Sequence, residues 1–170
     1  MRRLVLLSLL MCAAALLPGK AFAQLPEGVA EKMPHDIPYG ASITLAKAQQ
    51  AVAAAEAEAK KHDWKMAIAV VDPNGDLVYF AKMDSTQVAS TLISQGKART
   101  AARFRRPTLE FFKAMESGHP YVATLDPTVV ASGGGIPLVE GGKIIGAIGC
   151  SGGTGAQDNY TCQAGANVIK

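Results

Sequence analysis

An α+β fold, built on an antiparallel β-sheet of about five strands flanked by helices, is what this sequence predicts. Three observations lead there. Two apolar runs are joined through Asp72-Pro73-Asn74-Gly75, where Pro presets φ and Gly supplies a positive one. Two more are joined through Glu140-Gly141-Gly142, a hairpin connection of the same kind. Alanine-rich segments with apolar residues three and four apart lie before, between and after these hairpins. The chain has 170 residues, 49% of them apolar, enough for one domain with a real core.

The elements follow in the order α-β-β-α-α-β-β-β-α. Thr44 is an N-cap, and Leu45, Ala48, Val52, Ala55 and Ala59 give one helical face as far as about Lys61. Met66 to Val71 and Leu77 to Met83 form the first hairpin. A second helix runs from about Gln87 to Arg106, with Gly96 costing it about 1 kcal/mol relative to Ala. Pro107 ends it, and Thr108 caps a short third helix reaching Met115. Candidate strands follow at Thr128 to Ala131, Ile136 to Val139 and Lys143 to Cys150, then a last helix from about Ala156 to Ile169.

The N-terminus has another purpose. Arg2-Arg3, an apolar run from Leu4 to Leu17 and the ending Ala21-Phe22-Ala23 make residues 1–23 a secretory signal peptide, cleaved before Gln24. The run is shorter than the roughly 20 residues of a permanent span, so no membrane segment is expected after cleavage. Arg2-Arg3 also fits twin-arginine export, but the minimal n-region and very apolar run favour general secretion. Cys12 follows Met11 and makes a poor lipoprotein site. Residues 24–42, with Pro26, Pro34 and Pro38, form an extended arm, and 43–170 a single domain. The expected location is periplasmic or secreted.

The leader also explains the charge. The whole chain carries a formal +3, but three basic and no acidic residues fall in the leader, leaving 14 of each sign in the mature chain. A net charge of zero and 6% aromatics speak against a nucleic-acid partner. What remains is local: Lys97, Arg99, Arg103, Arg105 and Arg106, with Arg99, Arg103 and Arg106 on one helical face, suited to a small anion or to ion pairs.

Other motifs are weaker. Gly149-Cys150-Ser151-Gly152-Gly153 matches the nucleophile elbow, but His35, His62 and His119 all precede Ser151, so a tight glycine turn is the better reading. Gly133-Gly134-Gly135 and Gly152-Gly153-Thr154-Gly155 bracket the last hairpin and offer backbone N–H groups to a carboxylate or phosphate. No histidine spacing suits a zinc site. Cys150 and Cys162 form a bridge or remain two free thiols; export makes the bridge chemically possible.

These segments resemble a known family. Ala67-Ile68-Ala69-Val70-Val71-Asp72-Pro73-Asn74-Gly75, Lys82-Met83-Asp84, Lys97-Ala98-Arg99-Thr100-Ala101-Ala102-Arg103-Phe104, Arg106-Pro107-Thr108, Gly134-Gly135-Ile136-Pro137, Gly146 to Gly152 and Gln157-Asp158 are similar, in order, to the GlcG/HbpS (DUF336-type) family over residues 42–169. The resemblance implies a profilin-like fold, a symmetric homo-oligomer and, from some relatives, haem binding. It assigns no axial ligand and no catalytic residue to a position in this chain. The expectation is an exported homo-oligomer binding haem or a related anionic tetrapyrrole. Lys97, Arg99, Arg103, Gly134, Gly135, Ser151 and Asp158 would line the site, arginines of the second helix would meet the propionates, and His35 or His119 would be the axial ligand. The alternatives are an enzyme acting on a carboxylated metabolite, with Asp158 or Lys97 as acid–base group, and a ligand-free assembly module.

Overall fold

The computed structural model describes residues 25–170. The leader, its cleavage point before Gln24 and Cys12 lie outside them. Residues 34–170 make one compact unit, while the described residues 25–33 hold only irregular chain and turns. No described helix is long and apolar enough to cross a membrane.

Helix α1, Leu45–Lys61, starts where the Thr44 side chain accepts the Lys47 N–H, as a cap should. Strands β1 (Ala67–Val71) and β2 (Leu77–Lys82) pair through the Asp72–Asp76 turn. Asp72 Oδ1 accepts the Asn74 and Asp76 N–H groups (2.8 and 3.0 Å) and Gly75 takes the left-handed φ of 93°. Helices α2 (Ser90–Phe104) and α3 (Thr108–Glu116), a 3₁₀ turn at Pro120–Thr124, strands β3 (Gly135–Glu140) and β4 (Lys143–Ser151) and helix α4 (Gly155–Ala166) complete the chain. The sheet is antiparallel throughout, in the order β2-β1-β4-β3.

The sheet has four strands rather than about five, because Thr128 to Ala131 does not pair. Its donors are taken outside the sheet, the Val129 N–H by the Asp126 carbonyl oxygen at 3.1 Å. The Thr128 N–H bonds Asp126 Oδ1 at 2.8 Å, and the Val130 N–H bonds Thr100 Oγ1 on α2 at 3.0 Å. Val130 lies so close to Gly96 that a Cβ there would come within 2.6 Å of its Cγ2. The helix glycine is therefore a docking point for this loop. Helix α2 stops at Phe104, one residue before the left-handed Arg105 (φ 55°), and so ends before Pro107.

The two faces of the sheet differ in composition. Ile68, Val70, Ile136, Leu138, Ile148 and Cys150 face α1 and α4 in a thick aliphatic core. On the other face Ala69, Val71 and Ala147 meet Ala98, Ala101 and Ala102 of α2. Ala69, Gly149 and Gly135 lie side by side across β1, β4 and β3. A Cβ on Gly149 would overlap the Ser94 carbonyl oxygen, and one on Gly135 the Lys97 carbonyl oxygen. Helix α2 thus rests its backbone directly on the sheet.

Part of the expected arm continues the sheet pattern. The Gly40 and Ile43 N–H groups bond the Ile144 and Ile145 carbonyls (2.8 and 2.7 Å), and the Ile144 N–H bonds Pro38 (2.9 Å). The Tyr39 hydroxyl points between the Ala102 and Arg103 carbonyl oxygens (3.0 and 2.9 Å), satisfying the last turn of α2.

The glycine contact yields a stability prediction. Gly149→Ala lowers the urea-unfolding free energy by about 3 kcal/mol through overpacking, whereas Gly118→Ser, in open space but at positive φ, loses about 1 kcal/mol. Equal effects would refute direct seating of α2.

Candidate functional site

The centre of the site is an ion pair inside the protein. Lys97 Nζ donates to Asp158 Oδ2 at 2.6 Å, and the two residues are 1% and 2% exposed. Lys97 is buried because its own carbonyl sits on Gly135, so its side chain leaves α2 along the sheet instead of toward water. Asp158 comes from the first turn of α4, where the helix dipole favours a carboxylate. Thr154 and Gln157 form a capping box that fixes that turn, and the Gly153 N–H bonds Asp158 Oδ1 at 2.9 Å. Burial pushes the Lys97 amine below its usual range, against the attraction of Asp158. Burial likewise raises the Asp158 carboxyl, opposed by Lys97 and by the backbone donors of Gly153 and Gly152.

Gly134 covers the pair. It has φ 117°, and a Cβ there would lie 2.7 Å from the Cys150 carbonyl oxygen, 2.8 Å from Asp158 Cβ and 3.2 Å from Lys97 Nζ. Its carbonyl accepts the Cys150 N–H at 2.8 Å. Cys150 is joined to Cys162 of α4 by a disulfide with Cα atoms 5.6 Å apart.

Thr108 opens α3 but does not cap it; Pro107 occupies the cap position. The buried Thr108 hydroxyl donates to the Ser132 carbonyl (2.6 Å) and accepts the Gly135 N–H (2.8 Å), holding both ends of the glycine segment. Beside that segment lies a cleft of about 240 Å³ lined by Leu109 and Phe112 of α3, Ser132, Gly133, and Gly155 and Ala156 of α4.

Lys97, Gly134, Gly135 and Asp158 therefore come together, and the other expected residues do not join them. Ser151 is buried with its hydroxyl donating to Ser90 Oγ at 3.1 Å. The arginines leave α2 elsewhere. Arg99 Nε bonds the Gly75 carbonyl at 3.2 Å; Arg103 reaches Asp126 (3.5 Å) and Thr128 (3.4 Å). Arg99 and Arg103 share a helical face, which serves the β1–β2 turn and the 126–128 loop, but Arg106 lies beyond the end of α2 and sets its guanidinium over the Phe111 ring, 4.2 Å from the centroid. His35 Nε2 lies 3.2 Å from Glu110 of α3, and His119 Nδ1 lies 3.3 Å from the Ser117 hydroxyl just past α3. His62 stacks on Trp64, with ring centroids 4.5 Å apart. No histidine contact to Ser151 exists among the described residues, and none of them form a cluster of three or more metal-ligating His, Cys, Asp or Glu side chains.

Leu109, Phe112 and Ser132 were not among the expected site residues, whereas Gly133 and Gly155 belong to the two glycine groups expected to offer backbone donors. The signal for Lys97 was present in the spacing: Ser90, Ser94, Lys97 and Ala101 repeat at three and four, a stripe of small residues with one lysine inside it.

The family model described as "Haem degrading protein HbpS-like" matches residues 43–167. Protein GlcG of Escherichia coli (strain K12) is 41% identical over 100 residues, covering 59% of this chain and 74% of that protein. The crystal structure of Klebsiella pneumoniae protein ORFY, assigned to DUF336, is similar with a TM-score of 0.72 and 30% identity, over 81% of this chain and 97% of that one. The crystal structure of a PduOC:heme complex is similar with a TM-score of 0.70 and 26% identity, over 76% and 96% of the two chains.

Removing one member of the buried pair strands the other. Asp158→Asn loses about 3–5 kcal/mol of unfolding free energy at pH 7, and Lys97→Met/Asp158→Leu recovers most of it. In Asp158→Asn the folded-state pKa of Lys97 falls further below its unfolded value, so the unfolded chain binds more protons in between. Stability of that variant then rises with pH up to about 10.4, the ordinary lysine value. Urea unfolding between pH 7 and 10.5 checks this; a flat profile contradicts it.

Proposed function

The chain belongs to the HbpS-like family, and from that premise we propose that it is an exported, homo-oligomeric protein that binds haem or a related anionic tetrapyrrole. The observation that carries this reading is the cleft between α3 and the N-terminal turn of α4. Leu109 and Phe112 give it apolar walls suited to the face of a macrocycle, and its glycine floor lets a flat ligand approach the backbone. Met115 continues the exposed apolar surface along α3.

His35, against Glu110, and His119, just beyond Glu116, stand at α3 outside the cleft lining, and one of them would have to reach the haem iron as its ligand. Glu110 would orient the His35 ring as carboxylates orient ligand histidines. With Arg99 and Arg103 engaged elsewhere, the propionates would instead meet Lys113, one turn from Leu109, and the backbone donors at the start of α4. Bound haem would supply its iron chemistry; the protein's part would be to bind, orient and shield it.

Size supports the oligomer. A cleft of about 240 Å³ is below the roughly 300–1,000 Å³ of pockets that enclose a small molecule. A second copy would complete the enclosure. Export to the periplasm or beyond agrees with the leader-like residues 1–23 and with a disulfide, which persists in oxidising compartments. An enzyme using Lys97 or Asp158 has no supporting observation, since the two are sealed from solvent and bonded to each other.

Haemin titrated into the exported, purified protein produces a shifted, saturable Soret band. His35→Ala or His119→Ala, whichever removes the axial ligand, changes the band position; Phe112→Asp weakens binding about tenfold through the lost apolar wall. A spectrum that stays that of free haemin defeats the haem reading.

A further inference from the structure

We propose that the Phe80–Lys82 end of strand β2 is a self-pairing edge: it joins β2 of a second copy of this chain, antiparallel about a two-fold axis at Ala81, and Val88 and Leu92 close the contact. The inference deepens the homo-oligomer of the reading above and needs no ligand.

The sheet has two edges, β2 and β3, and they differ. Along an antiparallel ladder, residues alternate in turning their backbone N–H and C=O toward one side and then the other. The Met83 N–H bonds the Met66 carbonyl at 2.9 Å, while Ala67 pairs with Lys82 and Ala69 with Phe80. Alternation therefore turns the backbone groups of Phe80 and Lys82 away from β1, and among the described residues nothing bonds them there. On β3 the same alternation, counted from the bond between the Cys150 N–H and the Gly134 carbonyl, turns Pro137 outward, where it offers no donor. One edge is blocked and the other is open.

A bulge sets the register. Val70 pairs with Tyr79 and Val71 with Leu77, so Val78 is the extra residue and interrupts the outer edge. The regular part left runs from Phe80 to Lys82. An antiparallel copy centred on Ala81 uses all of it, because Phe80 and Lys82 then exchange hydrogen bonds with Lys82 and Phe80 of the second copy. The same register sets each Lys82 beside the Phe80 ring of the other copy and each Tyr79 beside Met83. Ala81 meets Ala81 at the axis, and no residue faces a like charge.

Helix α2 supplies the rest of the surface. It lies over β1, β4 and β3 and leaves Phe80 only partly buried at its flank. Arg99 Nε bonds the Gly75 carbonyl in the β1–β2 turn, so the side of α2 that carries Arg99 faces β2. Leu92 and Gln95 share that side, and Val88 lies one turn before Leu92. Ser90 bonds Ser151, which stands in one row across the sheet with Ala67 and Lys82. Val88 and Leu92 therefore project beside the Lys82 end of β2, 86% and 76% exposed. From Ser85 to Gly96 the chain carries no charged residue, which is the composition of an interface centre rather than of a solvated helix. The two-fold axis puts both α2 helices on one face of the joined sheet and turns these apolar side chains toward each other.

The test is sedimentation equilibrium with amide hydrogen exchange on the exported protein, beside Val88→Asp/Leu92→Asp and Ala81→Cys. In the wild type, the Phe80 and Lys82 amides should exchange about 100-fold more slowly than those of an open edge. Val88→Asp/Leu92→Asp changes exposed positions and leaves the fold intact. It should weaken association about 100-fold, at least halve the mass and free those two amides, with Ile68 and Ile148 still protected. Ala81→Cys should form an inter-chain disulfide under mild oxidation, since Cα atoms of a non-hydrogen-bonded pair lie about 4.5 Å apart. An oligomer whose mass the double variant leaves unchanged, or whose Phe80 and Lys82 amides exchange freely, overturns this surface while the oligomer reading stands. An associated Ala81→Cys protein that forms no cross-link overturns the register. A monomeric wild type overturns both the surface and the oligomer, and haemin titration then decides the haem reading alone.

Discussion

The backbone of α2 rests on the backbone of the sheet, and the rest of the site depends on that contact. Gly149 and Gly135 occupy neighbouring strands at the point of contact, and neither leaves room for a side chain beneath Ser94 or Lys97. A helix this close has no space for a layer of large residues, so alanines fill the interface. Lys97 is then trapped, since the sheet lies under its own carbonyl. A trapped ammonium needs a counter-charge, and Asp158 supplies it from the opposite helix. Seating a helix on two glycines thereby places Lys97 against the first turn of α4, which the Thr154–Gln157 capping box fixes beside the cleft.

The two layers of the domain serve different ends. Around α1 the core is aliphatic and thick, with Ile68, Ile148 and Leu138 fully buried; each such side chain contributes about 1.5–3 kcal/mol. That face supplies stability. The α2 face is thin and polar at its edge, where Lys97, Thr108, Ser151 and Asp158 are all buried and all hydrogen-bonded. It supplies geometry. The Cys150–Cys162 bridge lies within the aliphatic core and ties β4 to the helix that carries Asp158.

Much of the fold was legible because its signals are local. The Asp72-Pro73-Asn74-Gly75 turn, the Thr44 cap and the Gly141-Gly142 hairpin each state their conformation within four residues. The false strand at Thr128 to Ala131 had suitable β-branched residues, but β-pairing depends on which backbone donors remain free. Asp126 and Thr100 had already taken them. The site was legible by halves. Glycine groups, Lys97 and Asp158 stood out as types, yet their grouping required knowing that α2 turns Lys97 inward and Arg99 and Arg103 outward. Thr108 read as a cap because threonine beginning a helix usually is one; its tie to Ser132 and Gly135 is a tertiary fact, 24 and 27 residues away in the chain.

The state of Lys97 tests this account most directly. Side-chain ammonium protons of exposed lysines exchange with water too fast to be seen near neutral pH, whereas a sealed, hydrogen-bonded ammonium persists. A ¹⁵N-resolved NMR spectrum of the oxidised protein near pH 7 should show one slowly exchanging ammonium signal, lost in Lys97→Met and shifted in Asp158→Asn. A spectrum in which Lys97 exchanges as fast as exposed Lys60 would contradict the buried pair, and with it the seating of α2 on Gly135 and Gly149.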